Sequence, residues 1–87
     1  MTWKETSFVL ASAQRKRIVI ALAIPMTPSH LAKRTGISLS NIGAKLNDLE
    51  KQGIVVCHTP KTRKGKIYGL TNKGKAVAKA IGDMEGK

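Results

Sequence analysis

A chain of 87 residues has room for one domain with a modest core, and its 16 Lys and Arg against five Asp and Glu give a formal net charge of +11 and a sequence pI near 10.3. That excess calls for a polyanionic partner. The longest uncharged apolar run, residues 18–24, falls far short of the ~20 residues of a membrane span, and a single cysteine excludes an internal disulfide.

Trp3, Phe8, Val9 and Leu10 belong to a segment, residues 1–12, that reads as a short helix or turn covering one end of the core. An Ala-x-Ala triplet follows at 11–13, but the apolar run before it is too short for a signal peptide and Glu5 stands in front of it. Ser12 is a candidate N-cap for a first long helix over 13–24. There Ile18, Leu22 and residues Val19 to Ala23 give a wide apolar face, and Pro25 ends the helix.

Residues 28–53 read as two short amphipathic helices joined by a glycine turn. Pro28 sits near the start of the first, Ser29 offers a capping hydroxyl, Leu31 and Ala32 supply the apolar side, and Gly36 ends it. Ile37 points back to the core. Ser38 or Ser40 caps the second helix, whose Ile42, Leu46 and Leu49 fall at i, i+4 and i+7 and form one buried stripe, and Gly53 closes it. This is a helix-turn-helix pattern.

Two short β-branched or apolar runs, 54–57 and 67–70, flank the turn formers and charges of Pro60, Lys61, Thr62, Arg63, Lys64, Gly65 and Lys66. They predict a hairpin with a cationic tip over about 54–71. A last helix is predicted over about 72–84, with Thr71 as its N-cap. Ala76, Val77, Ala80, Ile81 and Met84 form its apolar face, broader than one contact stripe needs.

The segments PMTPSHLAKRTGIS, SNIGAKLNDLEKQGIV and CHTPKTRKGKIYGLTNKGKAV stand in this order, with Tyr68, Leu70, Thr71 and Gly74 completing a Tyr-x-Leu-Thr-x-x-Gly pattern. Over nearly the whole chain this resembles the winged helix-turn-helix domain of the MarR and ArsR type, most closely its small archaeal versions. The resemblance implies an α+β, mostly helical fold with a three-helix core, a two-stranded wing and a C-terminal helix. It also implies a sequence-specific, double-stranded DNA-binding transcriptional regulator, cytoplasmic and nucleoid-associated. Two departures stand out. Relatives commonly carry Arg at the position of Ala44, and MarR proteins have longer terminal helices for dimerisation.

Duplex geometry then assigns roles. The first half of the second motif helix enters the major groove, with Ser40, Asn41, Ala44 and Lys45 turned outward. Asn41 suits adenine, Lys45 guanine or phosphate, and Ala44 a thymine methyl, while Asn47 reaches the backbone. Each has a plainer alternative: Ser40 as a cap, and Lys45 as an i, i+3 ion pair with Asp48. The wing cations Lys61, Arg63, Lys64 and Lys66 follow a minor groove or phosphate ridge, with Arg63 the choice for insertion. Arg15, Lys16, Arg17, Lys33 and Arg34 are secondary phosphate candidates. No acidic residue occurs between Thr6 and Asn47 or between Lys51 and Gly82, which leaves the start of this helix and the wing free of negative charge.

No cofactor, metal or catalytic constellation is expected. Cys57, His58 and His30 lack a closed ligand spacing, His30 faces out or caps its helix, and no nucleophile has a base at a plausible spacing. Cys57 reads as a half-buried strand residue. A small-molecule effector pocket is not evident, and a homodimer through the last helix or through Trp3 and Phe8 stays as open as a monomer. Two other functions remain: an architectural protein that coats DNA with little sequence preference, and a protein-interaction module, which Leu39 alone favours.

Overall fold

The computed structural model describes residues 3–85. In chain order it contains α1 (Trp3–Leu10), α2 (Ala13–Ala21), α3 (Pro28–Thr35), α4 (Leu39–Lys51), β1 (Val55–Cys57), β2 (Tyr68–Leu70) and α5 (Asn72–Glu85). The α+β class, the two-helix motif, the hairpin and the last helix are those the sequence predicts, and the leading segment is a true helix.

Local chemistry explains the boundaries. Ser12 caps α2, its hydroxyl accepting from the Arg15 N–H at 3.3 Å. The helix ends at Ala21, three residues before the predicted end, and Pro25 disfavours helical backbone at Ile24. The chain leaves through tighter turns, Ala23 N–H to Ile20 O at 3.3 Å and Ile24 N–H to Ala21 O at 3.5 Å. Its apolar face is correspondingly narrower than predicted: Ile18, Val19 and Leu22 are buried, whereas Ile20 and Ile24 are exposed.

The cap of α3 is Thr27 rather than Ser29. Its Oγ1 accepts from the His30 N–H at 3.2 Å, with Pro28 in the first turn. Pro suits the first helical position because its missing N–H would have no intrahelical partner there. Gly36 ends α3 with φ 74°, a left-handed conformation that glycine adopts without a Cβ penalty. Of the two serines offered for α4, Ser38 is the cap, accepting from the Asn41 N–H at 3.3 Å.

The strands pair antiparallel with Val55 opposite Leu70, Val56 opposite Gly69 and Cys57 opposite Tyr68. Met26, between α2 and α3, adds a one-residue bridge to the outer edge of β2. Its N–H donates to Tyr68 O at 3.1 Å and its carbonyl accepts from the Tyr68 N–H at 2.9 Å. The hairpin is thereby tied to the start of the helix-turn-helix.

The core runs through every helix and the base of the hairpin: Val9 from α1, Ile18, Val19 and Leu22 from α2, Leu31 from α3, Ile42, Leu46 and Leu49 from α4, then Ile54, Val55 and Leu70, and Val77 and Ile81 from α5. The broad apolar face predicted for α5 reduces to Val77 and Ile81 with half-buried Ala78 and Ala80; Ala76 and Met84 are exposed. A helix of this kind buries only the stripe its neighbours reach.

The first turn of α5 is fixed by Thr71 and Gly74. The Thr71 N–H donates to Ile54 O at 3.0 Å, its hydroxyl donates to Gly53 O at 2.6 Å, and its Oγ1 accepts from the Gly74 N–H at 2.9 Å. Gly74 is buried, and a Cβ there would strike the Ile54 carbonyl. The Leu-Thr-x-x-Gly run is therefore a docking device that seats α5 on the strand leaving α4. In the same first turn, Lys73 pairs with Glu5 at 3.5 Å and joins α5 to α1.

Candidate nucleic-acid interface

The face of α4 opposite its core stripe follows from helix geometry. With Ile42, Leu46 and Leu49 turned inward, Ser40, Ala44, Asn47 and Lys51 lie along the outermost line. Asn41 and Lys45 fall on one flank, Leu39 and Gly43 on the other. Ser40, Asn41, Gly43, Ala44 and Asn47 are exposed, while Lys45 is half-buried. Ser40, freed by Ser38 from capping, presents its hydroxyl outward. Among the described residues no ion pair joins Lys45 to Asp48.

The wing continues from the strands by His58 N–H to Ile67 O at 2.7 Å and Ile67 N–H to Thr59 Oγ1 at 3.0 Å. Beyond Thr59 the chain turns, with Thr62 N–H to Thr59 O at 3.1 Å, and Gly65 takes φ 68°. Lys61, Arg63 and Lys64 are exposed there and Lys66 is half-buried.

Wing and helix motif meet in a concavity of about 460 Å³ lined by Thr27, Pro28, Ser29, Leu39, Arg63, Lys64, Gly65, Lys66 and Tyr68. Three cations and no carboxylate line it. The first turn of α3 adds the positive end of the helix dipole and the Ser29 N–H, which is the one donor left there once Pro28 supplies none and Thr27 accepts from His30. Tyr68 forms part of its wall, and burial raises the phenol pKa above its ordinary value, helped by the nearby Cys57 and Glu50. Three of the four predicted wing cations thus share one surface with the beginning of α4; Lys61 stands outside it, exposed on the wing. Two contributors carry no clear signal in the sequence. Leu39, 54% exposed at the first position of α4, reads from sequence only as a protein contact, and the α3 N-terminus, marked by Pro28, reads only as a helix start.

Arg15 does not join this surface. Its Nη1 donates to Phe8 O at 2.9 Å and its guanidinium lies 3.9 Å from the centre of the Phe8 ring, so it clasps α1 to α2. Trp3, by contrast, is 65% exposed and covers no core. Cys57 is a half-buried free thiol, and the His58 imidazole lies against Gly69, where a Cβ would meet it. Among the described residues no three of His, Cys, Asp and Glu gather closely enough to hold a metal ion, and no helix is long and apolar enough to cross a membrane.

Three helices around a shared core, a hairpin beyond the second motif helix and a closing helix define a winged helix-turn-helix. Solved structures bear this out. MarR from E. coli, in its reduced form, superposes with a TM-score of 0.80 at 22% identity, covering 97% of this chain and 64% of that one. FabT from Streptococcus pneumoniae, solved in complex with DNA, gives 0.75 at 22% identity over 86% of this chain and 55% of that one. A mutant of TubR, a protein of type III plasmid segregation, gives 0.83 at 12% identity over 100% and 95%. The chain spans about half to two thirds of the length of MarR, ZitR and FabT. No protein-family model and no curated protein matches it.

Proposed function

We propose that this protein is a sequence-specific, double-stranded DNA-binding transcriptional regulator. One observation carries the reading: the exposed start of α4, three wing cations and the α3 N-terminus form one surface without a carboxylate. In this reading α4 lies in the major groove, where Ser40, Asn41, Ala44 and Lys45 reach base edges, and Asn47 extends the same outward line. Lys61, Arg63, Lys64 and Lys66 hold the flanking backbone or minor groove. The phosphate that enters the concavity is met by the wing on one side and by the α3 dipole and the Ser29 N–H on the other. Affinity with small archaeal and ArsR-type regulators, action inside the cell on the nucleoid, and a homodimer on paired half-sites belong to the same proposal.

The DNA-bound state of FabT supports this reading at the level of fold. A second reading, DNA binding in plasmid segregation, is favoured by the end-to-end match with TubR. Fluorescence anisotropy of labelled duplexes tests the first. Fragments from the upstream region of the protein's own gene are compared with scrambled DNA across a salt series. A preference of at least ~10³-fold supports a specific regulator. Equal binding with a steep salt slope overturns specificity in favour of an architectural role, and absence of binding at low salt overturns DNA binding itself.

A further inference from the structure

The DNA-facing start of α4 is unusual in its chemistry. From Leu39 to Ala44 it carries no charge, its only cation before the second half, Lys45, is half-buried on one flank, and no arginine occurs in the helix. Guanine is most often read by a long cationic side chain placed bidentate on O6 and N7. This surface offers instead the hydrocarbon of Leu39 and Ala44, the carboxamides of Asn41 and Asn47, and at Gly43 open space, with nothing within 4 Å of where a Cβ would stand. Leu39 exposes more than half of a large apolar side chain to water.

Resting on the DNA-binding reading above, we propose that α4 reads A·T pairs, and that Leu39 is a specificity-determining residue that packs against the C5-methyl group of thymine. In the major groove that methyl is the one apolar feature of the four bases. It projects toward the wall of the groove, beside the phosphate backbone. Leu39 occupies the matching place, on the wing-side flank of α4 and on the rim of the cationic concavity that receives the backbone. Gly43, one turn further along the same flank, lets the duplex approach without obstruction. Asn41 supplies the bidentate partner of adenine N6 and N7, Asn47 reaches the backbone further along the outward line, and Ala44 is a second methyl contact. Arg63, Lys64 and Lys66 contribute affinity and set the register without choosing the base.

The test is a selection from a random-sequence duplex library. The tightest duplex is then synthesised with thymine and, position by position, with deoxyuracil, which removes only the methyl. Binding is measured for the native chain and for Leu39→Ala, whose fold is checked by circular dichroism; Leu39 is exposed and lies outside the core. The expected result is an A·T-containing selected site and a loss of about fourfold on replacing one thymine by deoxyuracil, the worth of a buried methyl, with that loss absent in Leu39→Ala. A selected site bound equally with thymine and deoxyuracil overturns the inference while DNA binding stands. So does a uracil penalty that persists unchanged in Leu39→Ala at every position, or a pool that binds with no sequence enriched. A library that does not bind at all overturns the DNA-binding reading, and the inference with it.

Discussion

Replacing Gly74 and Gly43 by alanine, one at a time, should move stability in opposite directions although both glycines lie inside helices. In a helix, alanine is favoured over glycine by ~1 kcal/mol because the unfolded chain has less freedom to lose. At Gly43 nothing stands within 4 Å of the new methyl, so that gain survives and the domain becomes more stable by about 0.5–1 kcal/mol. At Gly74 the methyl would strike the Ile54 carbonyl, a backbone atom that cannot swing aside as a side chain can. Relief requires α5 to lift, weakening the Thr71 N–H bond to Ile54 O at 3.0 Å and the hydroxyl bond to Gly53 O at 2.6 Å. Overpacking costs about 1–3 kcal/mol and each strained hydrogen bond about 1 kcal/mol. Net of the helix gain, Gly74→Ala should lose roughly 2–4 kcal/mol. Thermal unfolding followed by circular dichroism reads both: about 4–8 °C per kcal/mol for a domain of this size. A Gly74→Ala protein as stable as the native chain would show that α5 does not seat on Ile54 as described.

Arg15→Met should lower stability by about 1–3 kcal/mol, through loss of the bond to Phe8 O and of the cation–ring contact, while leaving DNA affinity unchanged; weaker DNA binding by a normally stable variant would return Arg15 to the interface. The Glu5 carboxyl is held below its ordinary pKa, chiefly by its own backbone N–H and then by Lys73. A depressed folded pKa means that the stabilisation is full above the unfolded carboxylate range and disappears as pH falls through the folded value. Melting curves of Glu5→Gln should accordingly show a shallower acid limb than the native chain, and superimposable limbs would remove Glu5 from the α1–α5 contact. Changing Lys61, Arg63, Lys64 and Lys66 together to Gln should reduce the slope of log affinity against log salt by up to about 3–4, at ~0.9 per phosphate contact; an unchanged slope would take the wing off the DNA.

The helix-turn-helix was legible because its signals are local and repeated: the Ile42, Leu46, Leu49 stripe, glycine at both helix ends and turn formers around the wing. What escaped depended on contacts that leave no period in the sequence. Met26 pairs with Tyr68 through one residue, too short for an alternating pattern. Thr27 and Ser29 both offer a hydroxyl, and the choice turns on Pro28 taking the first turn. Arg15 stands in a basic run with Lys16 and Arg17, and only the corner between α1 and α2 turns it onto Phe8. Of the candidate site, the wing cations and the exposed start of α4 were read from sequence. That Leu39 and the α3 N-terminus share their concavity was visible only once the wing was folded back beside them.

Backbone amide resonances of the isotope-labelled protein, followed by NMR while a duplex is added, test the central claim most directly. Shifts should gather at the start of α3, along the exposed side of α4 and through the wing from Thr59 to Lys66, with α1 and the distal turns of α5 unmoved. Shifts confined to α1, α5 or the exposed Ile20 and Ile24, or none at low salt, would contradict it.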